Sequence, residues 1–371
     1  MVLPTDMPAT AKKYMVVVIA LTLLLYNTGS AAPAKFIDFS DSRINYEGRI
    51  GTLTGARQLY WAGSTINIVF KGIEVWAKMN DEKGDSYYTV IIDNDSIRKM
   101  PLVKGSHLYK LCDDLTDTTH TLTLFKSTQW DKGSTLFYGF MLGAGTKLLA
   151  WVNTKKRAIE FYGNSITCGS AVEDTAGHNS GGARYENNYL SYAAITARHY
   201  NAAYQCIARS GIGLMVSWYP LIMPEMYNRL NPRDVKGRWN FTQFTPGIVV
   251  VNLMQNDSWL VKLSSNEQFI KRFGKKPPTA RFIVAAYKQF ITGIRNKYPN
   301  TNIICALGSM DAVAPDSPWP SFIQQAVQQM HDKKIYAFFF PYKNTPGHPG
   351  ISEQRQMAES LICFIDGNIK W

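Results

Sequence analysis

A serine hydroxyl attacks an acyl carbon near neutral pH only if a nearby base takes its proton and fixed donors hold the oxyanion that forms. Four short stretches of this chain carry residue types suited to those tasks. An apolar run over 158–162 stops at Gly163, and Ser165 follows in Gly163-Asn164-Ser165-Ile166-Thr167-Cys168-Gly169. Gly211 lies in Arg209-Ser210-Gly211-Ile212-Gly213, after a second apolar run. Asn256 lies in Asn252-Leu253-Met254-Gln255-Asn256-Asp257-Ser258-Trp259, after a third. His348 lies in Pro346-Gly347-His348-Pro349-Gly350, ahead of the last helical pattern. In this scheme Ser165 is the nucleophile and His348 its base, histidine being the side chain that titrates near neutrality. The backbone N–H groups of Ser165 and Gly211 and the amide of Asn256 form the oxyanion hole, where each donor is worth about 10²–10³ in rate. Taken singly, each residue also has an ordinary reading as a turn or cap. Their joint order carries the argument.

The elements around them must bring these residues together. Strand-like apolar runs cover 158–162, 203–208, 247–253, 302–307 and 335–340. Helical periodicity covers 189–200, 279–297, 319–332 and 352–365. Near-continuous apolar strands alternating with helices predict an α/β layer, with five parallel strands covered on both faces. Ser165, Gly211, Asn256 and His348 then all fall at the carboxyl edge, where open α/β sheets bind ligands. Two polar stretches, 173–188 and 220–245, read as loops beside that cleft.

Before residue 150 the signal changes to short alternating strands, at 64–70, 72–77, 87–92, 120–125 and 136–140, separated by turns such as Lys83-Gly84-Asp85 and Lys132-Gly133. This pattern predicts a β-sandwich or jelly roll over 35–150, hinged near 151–156 to a catalytic domain over 151–371. Trp61, Trp76 and Trp130 read as core in preference to a sugar platform. His107 and His120 read as structural, and Asp93-Asn94-Asp95 as a turn, because the rest of a calcium loop is absent. The five cysteines match neither a zinc site nor a disulfide framework. Cys206, Cys305 and Cys363 are expected in the core, and Cys168 is assigned to packing rather than attack.

At the N-terminus, Lys12-Lys13, an apolar run over 14–26 and the small residues Ala32-Pro33-Ala34 have the layout of a signal peptide, with the mature chain starting near Lys35. The apolar run is short for a membrane span; an uncleaved anchor is the alternative. A secreted or periplasmic protein without a span in its mature chain is expected. The net charge of +12 is scattered and accompanied by no nucleic-acid motif, so it reads as solvated surface compatible with polysaccharide. No metal or cofactor and no nucleic-acid partner are expected, and the chain is expected to be a monomer.

The four stretches resemble the conserved blocks of the SGNH (GDSL-type) hydrolases. With the preceding sandwich, residues 40–370 resemble carbohydrate esterase family 2. That resemblance implies a jelly roll joined to an SGNH three-layer domain. It implies removal of acetyl groups from polysaccharides such as xylan or glucomannan through an acetyl-enzyme. Trp259, just beyond Asn256, is implied as a sugar contact; Asn164 and Trp319 are further substrate-side candidates, with Tyr162 and Trp218 behind them. The chain departs from the pattern at three positions: Asn164 replaces an Asp, Met254 a Gly, and Thr345 the Asp that usually orients the histidine. Something else must then orient His348, either a backbone carbonyl or Asp311 or Asp316 after the fourth strand. The departures also leave open a carbohydrate-binding protein with a decayed site, and the same site would serve a carbohydrate O-acyltransferase.

Overall fold

The structure, a computed structural model, describes residues 34–371. The leader-peptide expectation therefore lies outside the described residues. Before residue 150 the strands are β1 (Lys35–Asp38), β2 (Asn45–Glu47), β3 (Ile50–Leu53), β4 (Ala56–Leu59), β5 (Thr65–Lys71), β6 (Val75–Asp81), β7 (Tyr87–Ile92), β8 (Ser96–Pro101), β9 (Gly105–Cys112), β10 (Thr119–Lys126), β11 (Thr135–Leu142) and β12 (Lys147–Leu149). They form two antiparallel sheets. One runs β3-β4-β11-β6-β9 with β1 beside β11, and the other runs β12-β5-β10-β7-β8 with β2 beside β5. Alternate residues point inward, so Val75, Ala77 and Met79 of β6 meet Ile66, Ile68 and Phe70 of β5 in one core. β8 and β9 escape a search for apolar alternation because most of their residues are exposed.

The second layer is a parallel sheet of β13 (Arg157–Gly163), β14 (Ala202–Ala208), β15 (Ile248–Asn252), β16 (Asn302–Leu307) and β17 (Ile335–Phe339). Its order is β14-β13-β15-β16-β17, so β13 is the first strand laid down and its neighbours come from opposite directions. The ends align: Gly163 pairs with both Ala208 and Asn252, and Asn252 pairs with Ala306. The chain therefore reverses direction across β13, and Ser165 emerges at that switch point. The helices Ala280–Lys297 and Trp319–Gln328 cover one face. Tyr192–His199 and Ile351–Asn368 cover the other. Two short helices, Gln255–Leu260 and Glu267–Phe273, were not foreseen.

The two layers share their cores. Trp61 and Trp130 of the sandwich side pack among the residues of the first helical face, and Ile91 and Phe125 among those of the second. At the centre of the seam, Arg49 pairs with Glu160 of β13 at 2.8 Å, both fully buried. Tyr162 donates its hydroxyl to the other oxygen of Glu160 at 2.7 Å. Residues 220–245 serve this seam: the carbonyls of Tyr227 and Leu230 accept from Arg49 and Trp61. Arg233 pairs with Glu82.

One core expectation fails. Cys363 is exposed. Leu361 and Ile365 face inward on the last helix, and a residue two positions from each lies about 200° round the axis, toward solvent. Asp93 and Asn94 form a turn with φ of 53° and 60°, and the Asp93 carboxylate is 2.6 Å from His120 Nδ1. Among the described residues no helix is long and apolar enough to cross a membrane. No cluster of three acidic, His or Cys side chains suited to a metal occurs there either.

Candidate active site

β13 ends at Gly163, where a Cβ would collide with the Thr167 side chain. Asn164 follows in extended conformation and caps the short helix Ser165–Cys168, accepting from the Ile166 N–H at 3.0 Å. A polar side chain is thus needed at this position, and an amide serves as well as a carboxylate. Asn164 is fully buried and presents nothing to a ligand, so the substrate contact expected of it is withdrawn. Ser165 is the first residue of that helix and is 7% exposed. Gln354 ties this turn to the last helix, donating to the Ile166 carbonyl at 3.0 Å while accepting from the Tyr192 N–H at 2.7 Å.

Gly211 has φ of +79°, a conformation that favours glycine. Its carbonyl accepts from the Trp218 N–H at 3.1 Å. Asn256 spans the same loop: its amide nitrogen donates to the Ile212 carbonyl at 2.8 Å, and its oxygen accepts from Trp218 Nε1 at 3.1 Å. A carbonyl can only accept and an indole N–H can only donate, so these partners fix which amide atom is nitrogen. One amide hydrogen is left free. Asp257, fully buried, accepts from the N–H groups of Leu214, Met215 and Val216 at 2.9, 2.7 and 3.1 Å. Burial raises its carboxyl above the usual range, and the three N–H bonds act against that. Met254, where the family pattern has glycine, holds a left-handed φ of 81° with its side chain fully buried.

Sequence reasoning missed the sandwich's part in this loop. Gln129 accepts from the Ser210 N–H at 2.6 Å and donates to Ser210 Oγ at 2.9 Å and to Glu186 at 2.8 Å. Glu186 is buried, which pushes its carboxyl up to about 7. A lone glutamine between two predicted strands gives no sign of such a reach.

His348 lies beyond β17, the edge strand of the sheet. Its Nδ1 is 2.5 Å from Asn179 Oδ1, and its backbone N–H donates to the same oxygen at 3.0 Å. Among the described residues no hydrogen bond joins His348 to Ser165. Burial, aided by the charge of Lys343, lowers the imidazole pKa to about 4. Thr345 does not orient it: the Thr345 hydroxyl donates to Glu353 at 2.5 Å. Neither proposed carboxylate does so either. Asp311 accepts from Trp259 Nε1 at 2.8 Å, and Asp316 is exposed at φ of 67°. Asn179 gave only a weak signal, its place in a Gly- and Asn-rich loop after the serine turn.

Of the aromatics, Trp259 is partly exposed and pinned by Asp311. Trp218 is 46% exposed, with its indole N–H on Asn256. Trp319 is 4% exposed and packs edge-on against Phe322 at 5.6 Å. A ring enclosed in the core offers no face to a sugar, so the contact expected of Trp319 is withdrawn. Cys168 is fully buried and its thiol is pushed well above its usual range, which suits packing and not attack. A cavity of about 640 Å³ lined by Met215, Tyr227, Phe273 and Phe290 contains none of the four site residues.

A β-sandwich fused to a five-stranded parallel sheet, with the serine turn at its switch point, defines a two-domain SGNH-type hydrolase. The description "Carbohydrate esterase 2 N-terminal" matches residues 46–151. A family two carbohydrate esterase from Clostridium thermocellum, solved in complex with cellohexaose, is 31% identical, with 87% of this chain and 98% of that chain covered and a TM-score of 0.77. The cellulase/esterase CelE of Acetivibrio thermocellus is 33% identical over 84% of this chain, which spans 38% of CelE. An acetylxylan esterase / glucomannan deacetylase of Cellvibrio japonicus is 23% identical, with 90% of each chain covered. The chain belongs to carbohydrate esterase family 2.

Proposed function

We propose that this chain is a serine esterase that removes O-acetyl groups from a polysaccharide such as xylan or glucomannan, outside the cytoplasm. Ser165 Oγ attacks the acetyl carbonyl and His348 Nε2 takes its proton. The N–H groups of Ser165 and Gly211 and the free amide hydrogen of Asn256 hold the oxyanion. The intermediate collapses as His348 returns the proton to the sugar oxygen, which leaves. Water, deprotonated by His348, then attacks the acetyl-enzyme and frees acetate and Ser165. Trp259, steadied by Asp311, offers its ring to the sugar.

The observation that carries this reading is the Asn256 amide. One of its two N–H donors and its oxygen are engaged by the loop bearing Gly211, and the second N–H donor is left for an oxyanion. The activity named for the Cellvibrio relative supports acetyl as the acyl group. The leader pattern ahead of Lys35 supports export. The test is acetate release from acetylated xylan and acetylated glucomannan by the wild type, Ser165→Ala and His348→Ala. Wild type is expected to release acetate. Each variant is expected to lose activity by about 10⁴-fold or more. Full release by Ser165→Ala would sink the reading.

A further inference from the structure

A base that acts through Nε2 must carry its proton on Nδ1, and something has to hold it so. The usual carboxylate position is Thr345 here, and its hydroxyl is turned to Glu353. We propose that Asn179 is the positioning residue for His348, so that the proton relay is Ser165–His348–Asn179 with a neutral amide as its third member. This rests on the esterase reading for its catalytic consequence, but its geometry stands apart from it.

The backbone N–H of His348 points at Asn179 Oδ1 from 3.0 Å. A backbone N–H can only donate, so the amide atom there is the oxygen. The same oxygen is 2.5 Å from Nδ1, so the ring must donate from Nδ1 and leave Nε2 bare. Two contacts from one residue thus fix the amide, the ring tautomer and the ring's rotation. The backbone is shaped for this approach. Asn179 has φ of 54°, which asparagine tolerates better than most residues. Gly347 has φ of 73°, and a Cβ there would lie 3.2 Å from both Asn179 Cβ and Asn179 Cγ. The Asn179 loop is anchored by the Ser180 N–H on Asp174 at 2.7 Å and by Lys132 on the Gly181 carbonyl at 3.0 Å.

An amide orients the ring without adding negative charge. The imidazolium that forms during the reaction is then not compensated as it is beside a carboxylate. The charged groups around His348 do not make up the difference. Lys343, on its own loop, is a cation. Glu353, on the following helix, is engaged with Thr345, Lys343 and the Gly350 N–H. On the Asn179 loop, Asp174 is turned to Ser180, and His178 adjoins Asn179 in sequence.

The test compares wild type, Asn179→Ala and Asn179→Asp on 4-nitrophenyl acetate across acidic and neutral pH, alongside ¹⁵N NMR of the His348 ring. Asn179→Ala is expected to lower kcat about 10–100-fold with KM little changed. Asn179→Asp keeps both acceptor contacts and is expected to move the acidic limb of kcat/KM upward by about 1 pH unit or more. A residue that anchored only the loop backbone, without facing the ring, would not move that limb. In wild type the ring is expected to be protonated at Nδ1 and bare at Nε2, and Asn179→Ala should relax this preference. Wild-type kcat in Asn179→Ala, an unmoved limb in Asn179→Asp, or a wild-type ring protonated at Nε2 would each overturn the proposal. If wild type hydrolyses no ester, the esterase reading fails, and the ring tautomer still decides the role of Asn179.

Discussion

The two halves of the site are built differently. On the Gly211 side, Asn256 and Asp257 are buried and their bonds cross between the loop and its neighbouring helix. On the His348 side, orientation depends on one exposed asparagine in a loop far away in sequence. The difference follows from the work each side does. Oxyanion donors help only if they are already in place when charge appears, so freedom there is a direct loss. A base that carries a proton from nucleophile to leaving group must meet both, and a ring held at one nitrogen keeps the other free to do so. The site is therefore expected to be stiff where it binds charge and more adjustable where it moves a proton.

The largest effect should come from the stiff half. Asp257→Ala leaves three buried N–H groups without an acceptor, and each buried donor so stranded costs about 1–3 kcal/mol. Urea unfolding measures this, and kcat should fall as the Gly211 loop loosens. Asp257→Asn, with one acceptor oxygen left, should fall between. Asn256→Ala comes next, with kcat lowered about 10²–10³-fold and KM little changed. If Asn256→Ala cost less than Asn179→Ala, the contrast between the halves would be reversed.

Met254→Gly sharpens the same contrast at smaller scale. Relieving a left-handed backbone gains about 1 kcal/mol. Emptying a fully buried methionine site costs about 2–5 kcal/mol. The cavity wins, so the variant should be less stable by about 1–4 kcal/mol in thermal or urea unfolding, although it restores the family's glycine. A more stable Met254→Gly would mean that backbone strain, not core packing, dominates beneath Asn256.

Legibility in the sequence follows the same division. Ser165, Gly211 and Asn256 could be placed because each closely follows an apolar strand, and strand ends in a parallel sheet share one edge. His348 was legible as a turn residue, between Gly347 and Pro349, just ahead of the last helix. Asn179 could not be placed, because 169 residues separate it from His348 and a loop has no period from which to read a facing residue. Gln129 was invisible for the same reason, since it acts across the seam between the two layers. Trp319 and Cys363 show the opposite failure. Residue type suggested a sugar contact and a core thiol, and the phase of each residue on its own helix decided otherwise. The departure at Thr345 was legible as a loss, but its replacement was not.

The smallest shift should test why the adjustable half tolerates an amide. Burial first, and Lys343 second, lowers His348 to about 4. In the proposed mechanism the neutral ring is the base, so kcat/KM should stay level from neutral pH downward and fall as pH drops through about 4. The stability sign is consistent. The folded value lies below the ordinary 6.5, so the unfolded chain binds the proton first, and stability should decline as pH falls between 6.5 and about 4. Lys343→Gln removes the second cause and leaves the first. Its acidic limb should move upward by less than that of Asn179→Asp, since removing a cation is a weaker aid to the imidazolium than placing a carboxylate on the ring. If Lys343→Gln moved the limb further than Asn179→Asp, charge on His348's own loop would govern the base, and the amide would be a bystander to its protonation.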